Sequence, residues 1–270
     1  MKEFSVLMSV YRREKAENLR ECLDSILCQT LLPSEVVLVE DGPLTAELYD
    51  TIKQYSSSIP NFKVVPLTDN GGLGNALSIG LDHCVFDIVA RMDTDDVNYP
   101  TRFEEEINVM MAHPEIDVVG AWIEEFNDKE NVERKLKKVP EFQDEIYRYG
   151  KQRNPINHPV VMFRKKAVKE SGGYQPFPLF EDYYLWVRLL LHGAKFYNIQ
   201  RPLLHFRRTA DMIRRRGGLQ YAMNEVAFQR RIHDLGYIST IRMYCNIMQR
   251  FGVRLAPASL RSWMYNHLLR

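Results

Sequence analysis

Short apolar runs and segments of helical period alternate along the first hundred residues. Residues 4–10 read as a strand, and Leu19, Cys22, Leu23, Ile26 and Leu27 place one apolar face on a helix over 18–31. Residues 36–39 predict a second strand, 46–55 a helix and 62–67 a third strand. The turn-rich stretch N-G-G-L-G-N at 70–75 leads into a helix reaching about His83, and the β-branched run 85–92 predicts a buried strand. This repetition predicts an α/β chain with a mainly parallel sheet covered on both faces. Tyr99-Pro100 then opens a helical pattern, with Pro in the first turn and Glu104, Glu105 and Glu106 near the positive end of the helix dipole.

The pattern is less regular afterwards. Residues 116–122 resemble a strand, and 124–138 are dense with charge, fitting a hairpin or a solvated segment. Residues 151–164 look like a loop entering a strand, 165–170 like a short helix ended by Gly172-Gly173-Tyr174, and 180–188 like the start of an amphipathic helix. Near the end, Ile241, Tyr244, Cys245, Met248 and Phe251 share one helix face, with Arg242, Asn246, Gln249 and Arg250 off it. A second short helix would group Leu260, Trp263, Met264 and Leu268. Two readings fit these helices: a pair packed on the preceding domain, or a segment lying on an anionic membrane surface.

Charge sharpens that choice. The chain of 270 residues has a formal net charge of only +1, but 13 arginines, no lysine and 3 acids follow from Arg201 onward. That tail is therefore strongly basic and the rest acidic. Its arginines are interleaved with an apolar face and form no recognition motif, so a nucleic-acid partner is not expected. Cys22, Cys28, Cys84 and Cys245 are too dispersed for a zinc pattern and are read as reduced thiols. The N-terminus enters a strand directly, without signal-peptide character, and no apolar stretch is long enough to span a bilayer. A cytoplasmic location is expected, with peripheral contact to the inner face of the plasma membrane if the tail binds lipid.

The chemistry-bearing residues sit where the strands end. The run 85–92 stops at Asp93, Asp95 and Asp96. Three acids so close repel one another unless a cation shares the site, which points to a divalent metal holding a diphosphate; a capping role for the next helix is the alternative. Asp93, Asp95 and Glu104 match the spacing of three EF-hand ligands, but Val97 stands where a ligand belongs and Asn98 where the turn needs Gly, which excludes a calcium loop. Asp41, at the end of the second strand, would lie at the same edge of the sheet. The glycine loop at 70–75 fits neither a P-loop nor a dinucleotide fingerprint; it either aims N–H groups at a phosphate or sugar, or is a tight turn. Asp182 and Trp186 share a helix face, as an acid and indole that grip a sugar or as a capping acid and a core tryptophan.

Taken together and in order, S-V-Y at 9–11, V-E-D-G at 39–42, N-G-G-L-G at 70–74, M-D-T-D-D at 92–96, H-P-V-V-M-F-R at 158–164, G-G-Y at 172–174 and E-D-Y-Y-L-W-V-R at 181–188 resemble the motifs of the inverting family 2 glycosyltransferases, of bacterial capsule or exopolysaccharide type. The resemblance covers most of the first 210 residues. It implies the GT-A fold, a Rossmann-like sheet with helices on both faces. A catalytic domain would occupy 1–212, with a nucleotide-sugar half over about 1–100 and an acceptor half over about 101–212, followed by a helical extension over 213–270.

The resemblance also implies roles. Ser9, Val10 and Tyr11 would shape the base pocket, Asp41 would contact the uracil or ribose of a UDP-sugar, and Asn70 and Gly71 would lie on the donor side. Asp93 would reach the ribose or the metal, Asp95 would bind Mn²⁺ or Mg²⁺, and Asp96 would support both. Asp182 would be the catalytic base, with Glu181 beside it and Trp186 near the acceptor. The chain departs from the family pattern at Thr209, where a third metal ligand, His, is usual; either His205 substitutes or water completes the metal. Ser9 also replaces the usual Pro of the first loop. Arg207, Arg208 and the arginines at 214–216 would serve either the phosphates or anionic lipid. The implied activity is metal-dependent, inverting transfer of a hexose from a UDP-sugar to a saccharide or polyprenol-linked saccharide. A sugar nucleotidyltransferase or a non-catalytic carbohydrate-binding protein on the same fold are the alternatives.

Overall fold

The structure, a computed structural model, describes residues 2–126, 134–208 and 217–255. The first hundred residues build β1 (Ser5–Val10), α1 (Ala16–Leu27), β2 (Glu35–Glu40), α2 (Ala46–Ser56), β3 (Phe62–Pro66), α3 (Leu73–His83) and β4 (Ile88–Arg91). Their strands lie in the order β3-β2-β1-β4, all parallel. The expected βα repetition is therefore realised, because the apolar runs of β1, β2 and β4 are buried on both faces and need a helix on either side, while β3 forms the more exposed edge.

The second half departs from a parallel sheet. It contains β5 (Val97–Asn98), α4 (Arg102–Ala112), β6 (Val118–Phe126), β7 (Lys135–Lys137), α5 (Gln143–Tyr149), a 3₁₀ turn at His158–Val160, β8 (Val161–Arg164), α6 (Lys165–Glu170), α7 (Glu181–Leu191) and β9 (Phe196–Arg207). The sheet continues β4-β8-β6-β9-β5 with β7 on β6. Only β6 and β9 are parallel there; β4–β8, β6–β8, β5–β9 and β6–β7 are antiparallel. One apolar layer, with Leu19, Leu23, Leu48 and Ile107, covers one face of the sheet. The other, with Leu77, Leu81, Leu185 and Trp186, covers the opposite face.

Several boundaries move for identifiable reasons. Val85 is 74% exposed and outside the strand, its N–H given to the buried Glu35 carboxylate in the turn after α3. Tyr99-Pro100 opens no helix: residues 97–98 pair with β9 and the Tyr99 N–H donates to Leu203 O at 3.0 Å, so α4 starts at Arg102. Glu106 turns inward, fully buried against Arg102. The described parts of 124–138 form the hairpin of β6 and β7.

Two helices follow, α8 (Leu219–Asp234) and α9 (Thr240–Leu255). In α8, Phe228 stacks on Phe180 at 4.8 Å and lies 4.7 Å from Tyr183. α9 packs beside α8 through Met243, Asn246 and Arg250, leaving Ile241 (78% exposed), Tyr244 (59%) and Met248 (70%) facing outward. The helix thus docks on the domain by a mixed side, Met243 and Ile247 meeting the apolar core beside Asn246 and Arg250, and presents a second apolar row to solvent. The helix expected around Leu260, Trp263, Met264 and Leu268, together with Thr209 and the arginines at 214–216, lies outside the described residues.

Candidate active site

The loop between β4 and β5 carries the acids, and a buried frame holds it. Arg102 is wholly buried and donates to Arg91 O at 2.6 Å, to Asn98 Oδ1 at 2.7 Å and to Glu106 at 3.2 Å. It thereby ties the last residue of β4 to the first turn of α4. From the far side Arg207 of β9 donates its backbone N–H to Asp96 Oδ1 and its Nε to Asp95 O, both at 2.8 Å, and its guanidinium pairs with Glu21. Arg207 also lies over the Phe126 ring at 4.7 Å.

Within that frame Asp93, Asp95 and Asp96 can each offer an oxygen within 4.8 Å of the others. Arg91, 1% exposed, holds Asp93 in a two-pronged ion pair, with Nη1 to Oδ2 at 2.7 Å. Asp96 is wholly buried, and its Oδ2 has no hydrogen-bond partner among the described residues. Burial, then the charges of Asp93 and Glu14, push the Asp95 carboxyl up to about 7. Burial and its two acidic neighbours raise Asp96 as well. Glu14 stands close by, held by Asn18 Nδ2 at 2.9 Å, its neighbour's N–H at 2.8 Å and Thr94 Oγ1 at 3.2 Å. An orphaned carboxylate oxygen beside two further acids that repel it is a donor set suited to a hard divalent cation.

His205 is not grouped with these acids: its Nδ1 lies 2.9 Å from Glu124 Oε2 and its ring stacks on Tyr99 at 4.1 Å, so the imidazole is engaged by those two residues. The expectation that it completes the metal site is withdrawn. Trp186 is also corrected: it is 0% exposed, edge-on to His158 at 5.8 Å and Phe196 at 6.3 Å, and belongs to the core.

The nucleotide-side residues converge at the ends of β1 and β2. The Asp41 N–H donates to Val10 O at 2.8 Å, joining the expected base-pocket loop of Ser9, Val10 and Tyr11 to Asp41. The Asp41 carboxylate accepts from Gly71 N at 2.7 Å, Asn70 Nδ2 at 3.0 Å and Gly72 N at 3.1 Å. These donors turn inward to a carboxylate, so the glycine loop is a tight turn organised by Asp41 and the Gly71 N–H is not aimed at a phosphate. Gly42 permits this closure: its φ is +81° and a Cβ there would lie 2.7 Å from Asn70 N.

On the acceptor side Asp182 and Glu181 open α7. Glu181 packs against Gly74 at the start of α3, where a Cβ would meet its Cγ at 3.0 Å. Asp182 Oδ2 accepts from Asn154 Nδ2 at 2.6 Å. Burial raises the Asp182 carboxyl, offset by the Tyr183 N–H, Asn154 and the positive charges of Lys137 and Arg91. Arg91 therefore acts on both Asp93 and Asp182. Burial and the same guanidinium push His158 well below its ordinary range, and its Nε2 lies 2.9 Å from Tyr174 Oη. Arg91, Glu14 and Asn154 were not among the sequence candidates. A charged residue inside the buried run V-A-R-M-D was the available signal for Arg91; nothing periodic marked the other two.

An acid cluster at the carboxyl ends of a parallel half-sheet, faced by a partly buried carboxylate on the adjoining half, defines a nucleotide-sugar-dependent transferase of the GT-A class. The glycosyl transferase family 2 model matches residues 5–172, and the chain belongs to that family. It is 38% identical over 268 residues to the UDP-Gal:alpha-D-GlcNAc-diphosphoundecaprenol beta-1,3-galactosyltransferase of Escherichia coli, covering 99% of this chain and 97% of that one. It is 39% identical over 262 residues to the amylovoran biosynthesis glycosyltransferase AmsE of Erwinia amylovora, covering 97% of each. Staphylococcus aureus TarS 1-349 in complex with UDP-GlcNAc shares the fold with a TM-score of 0.65 at 19% identity, over 84% of this chain and 65% of that one. The protein is thus a glycosyltransferase, and the nucleotidyltransferase and non-catalytic readings are set aside.

Proposed function

We propose that this enzyme transfers a hexose, galactose being the first candidate, from a UDP-sugar to a hydroxyl of a polyprenyl-diphosphate-linked saccharide, with inversion and with a divalent metal, in surface polysaccharide synthesis. Full-length similarity to the E. coli galactosyltransferase supports the donor and acceptor class. The observation that carries the chemistry is the trio of acids within 4.8 Å with Asp182 set apart from them. Residues 1–100 supply the donor half and 101–212 the acceptor half in this reading, with the boundary to the extension outside the described residues.

Asp95, Asp93 and Asp96 would hold Mn²⁺ or Mg²⁺, which when bound neutralises negative charge developing on the leaving UDP. Ser9, Val10 and Tyr11 flank the nucleoside, while Asp41 shapes that pocket through the loop of Asn70 and Gly71. Asp182 is the general base that takes the acceptor hydroxyl proton, so that attack from the side opposite UDP turns an α-linked donor into a β-linked product. Glu181 lines the same rim. The exposed face of α9 rests on the anionic membrane surface where a polyprenyl acceptor would be anchored; among the described residues no helix is long and apolar enough to cross a membrane.

The test is UDP release from UDP-galactose, UDP-glucose and their N-acetyl forms, with a short-chain lipid diphosphate N-acetylglucosamine as acceptor. Turnover should require Mn²⁺ or Mg²⁺ and stop with EDTA. Asp182→Asn should keep UDP binding and lose roughly 10²–10⁴-fold in kcat. Undiminished turnover in EDTA removes the metal role, and wild-type transfer by Asp182→Asn removes the base.

A further inference from the structure

The loop at 150–155 is held more firmly than a surface connection requires. Tyr183 Oη of α7 donates to Gly150 O at 2.6 Å, and Asn246 Nδ2 of α9 donates to Lys151 O at 2.9 Å. Arg250 of α9 donates to Gln152 O and pairs with Glu225 of α8, while Asn246 also donates to Gln229 Oε1 at 2.8 Å. Asn246 is 3% exposed, Glu225 1% and Gln229 0%. Water could satisfy the carbonyls of an exposed loop, whereas burying these polar side chains is costly unless each finds its partner. The arrangement fixes the path of the loop.

What the loop presents is Asn154. Its Oδ1 accepts from Ile156 N at 3.3 Å, which orients the amide so that Nδ2 faces Asp182 Oδ2 at 2.6 Å. A carboxylate acting as a base must sit in one rotamer with a lone pair left for the incoming proton, and the short Asn154 donor on Oδ2, beside the Tyr183 N–H of its own helix, fixes that rotamer from a different element. We propose that Asn154 is the positioning residue for Asp182 and that Asn246 and Arg250 of α9, acting through loop 150–155, hold Asn154 in place. The proposal rests on the reading of Asp182 as the base. It makes the C-terminal helices a working part of the acceptor half.

The test uses the full chain with Asn154→Ala, Asn246→Leu, their double variant and Asp182→Asn, each checked for folding by its melting curve and for donor-site integrity by UDP binding. The charged and titratable groups around Asp182 are Glu181 and Tyr183 on its own helix, Lys137 from β7, Arg91 from β4 and Tyr174, and all are retained in the Asn154 and Asn246 variants. Asn154→Ala should lower kcat about 10–100-fold with the donor KM nearly unchanged, and move the acidic limb of the kcat profile to higher pH, because a donor to the charged form has been lost. Asn246→Leu, which does not touch Asp182, should do the same to a smaller extent, and the double variant should be no worse than Asn154→Ala alone. Wild-type kcat with an unmoved limb in Asn154→Ala overturns the proposal while leaving the base reading intact. Losses that multiply in the double variant overturn the part assigned to α9. Wild-type transfer by Asp182→Asn overturns the base reading, and this one with it. Should Asn154→Ala fail to fold, Asn154→Ser, which keeps a donor too short to reach, is read in its place.

Discussion

If Asp95 binds the cation as proposed, the proton and the cation compete for one place on its carboxyl. Unfolded, it would ionise near about 3.9; in the metal-free fold burial, Asp93 and Glu14 hold it to about 7. A group that keeps its proton longer when folded costs nothing below the unfolded value and destabilises progressively as pH rises to the folded one. A divalent cation replaces the proton, so the melting-temperature increase produced by Mn²⁺ should be small near pH 6, larger near pH 8, and centred near about 7. Asp95→Asn should abolish the increase, and Glu14→Gln should move its midpoint to lower pH by removing one repelling charge. An increase independent of pH would mean that Asp95 is not the titrating ligand. The convergence of these acids was legible in the sequence because three carboxylates at a strand end repel one another unless a cation shares the site, although helix capping fits the same spacing. His205 and Trp186 were not, since imidazole and indole serve a core as readily as a ligand, and only Glu124, Tyr99, His158 and Phe196 decide the matter.

At the scale of elements, β4 ends in a loop that must hold still, and Arg102 with Glu106 supplies the brace from inside α4. Both side chains are 0% exposed. Glu106→Ala leaves a buried guanidinium without its partner and should cost about 3–5 kcal/mol in urea unfolding, whereas replacing both by apolar residues should recover much of that loss. The recovered double variant should still bind UDP more weakly, because the bond from Arg102 to Arg91 O is gone. A loss of stability below about 1 kcal/mol for Glu106→Ala would show the pair to be dispensable. The strands of the first half could be read because continuous apolar runs flanked by turn residues leave little choice. α8 escaped the same reading because it buries Glu225 and Gln229, which break its apolar period. β9 escaped because its exposure alternates irregularly around the bulge near Pro202. In α9 the apolar stripe was legible but its direction was not, since Met243, Asn246, Ile247 and Arg250 form the packed side.

The whole molecule sets a polar grip and an apolar face back to back on one helix at the end of the chain. Ile241, Tyr244 and Met248 are exposed in a row at intervals of three and four residues, and Arg242 lies exposed beside them. Burying such side chains half-way into a headgroup region is worth about 1 kcal/mol each, and the basic surroundings add attraction to anionic lipid. Replacing all three by Ser should therefore weaken sedimentation with vesicles of anionic phospholipid by on the order of a hundredfold. UDP release with a soluble acceptor should stay unchanged, because the replaced residues point away from loop 150–155. With a long-chain acceptor in vesicles, the same variant should lose turnover in proportion to its lost binding. Equal sedimentation of both proteins would assign the stripe to a protein partner or a second copy of the chain, a difference that analytical ultracentrifugation without lipid would resolve. The two outcomes separate cleanly because the face that would meet lipid and the face that holds the base loop share no side chain, so either can be altered while the other is left in place.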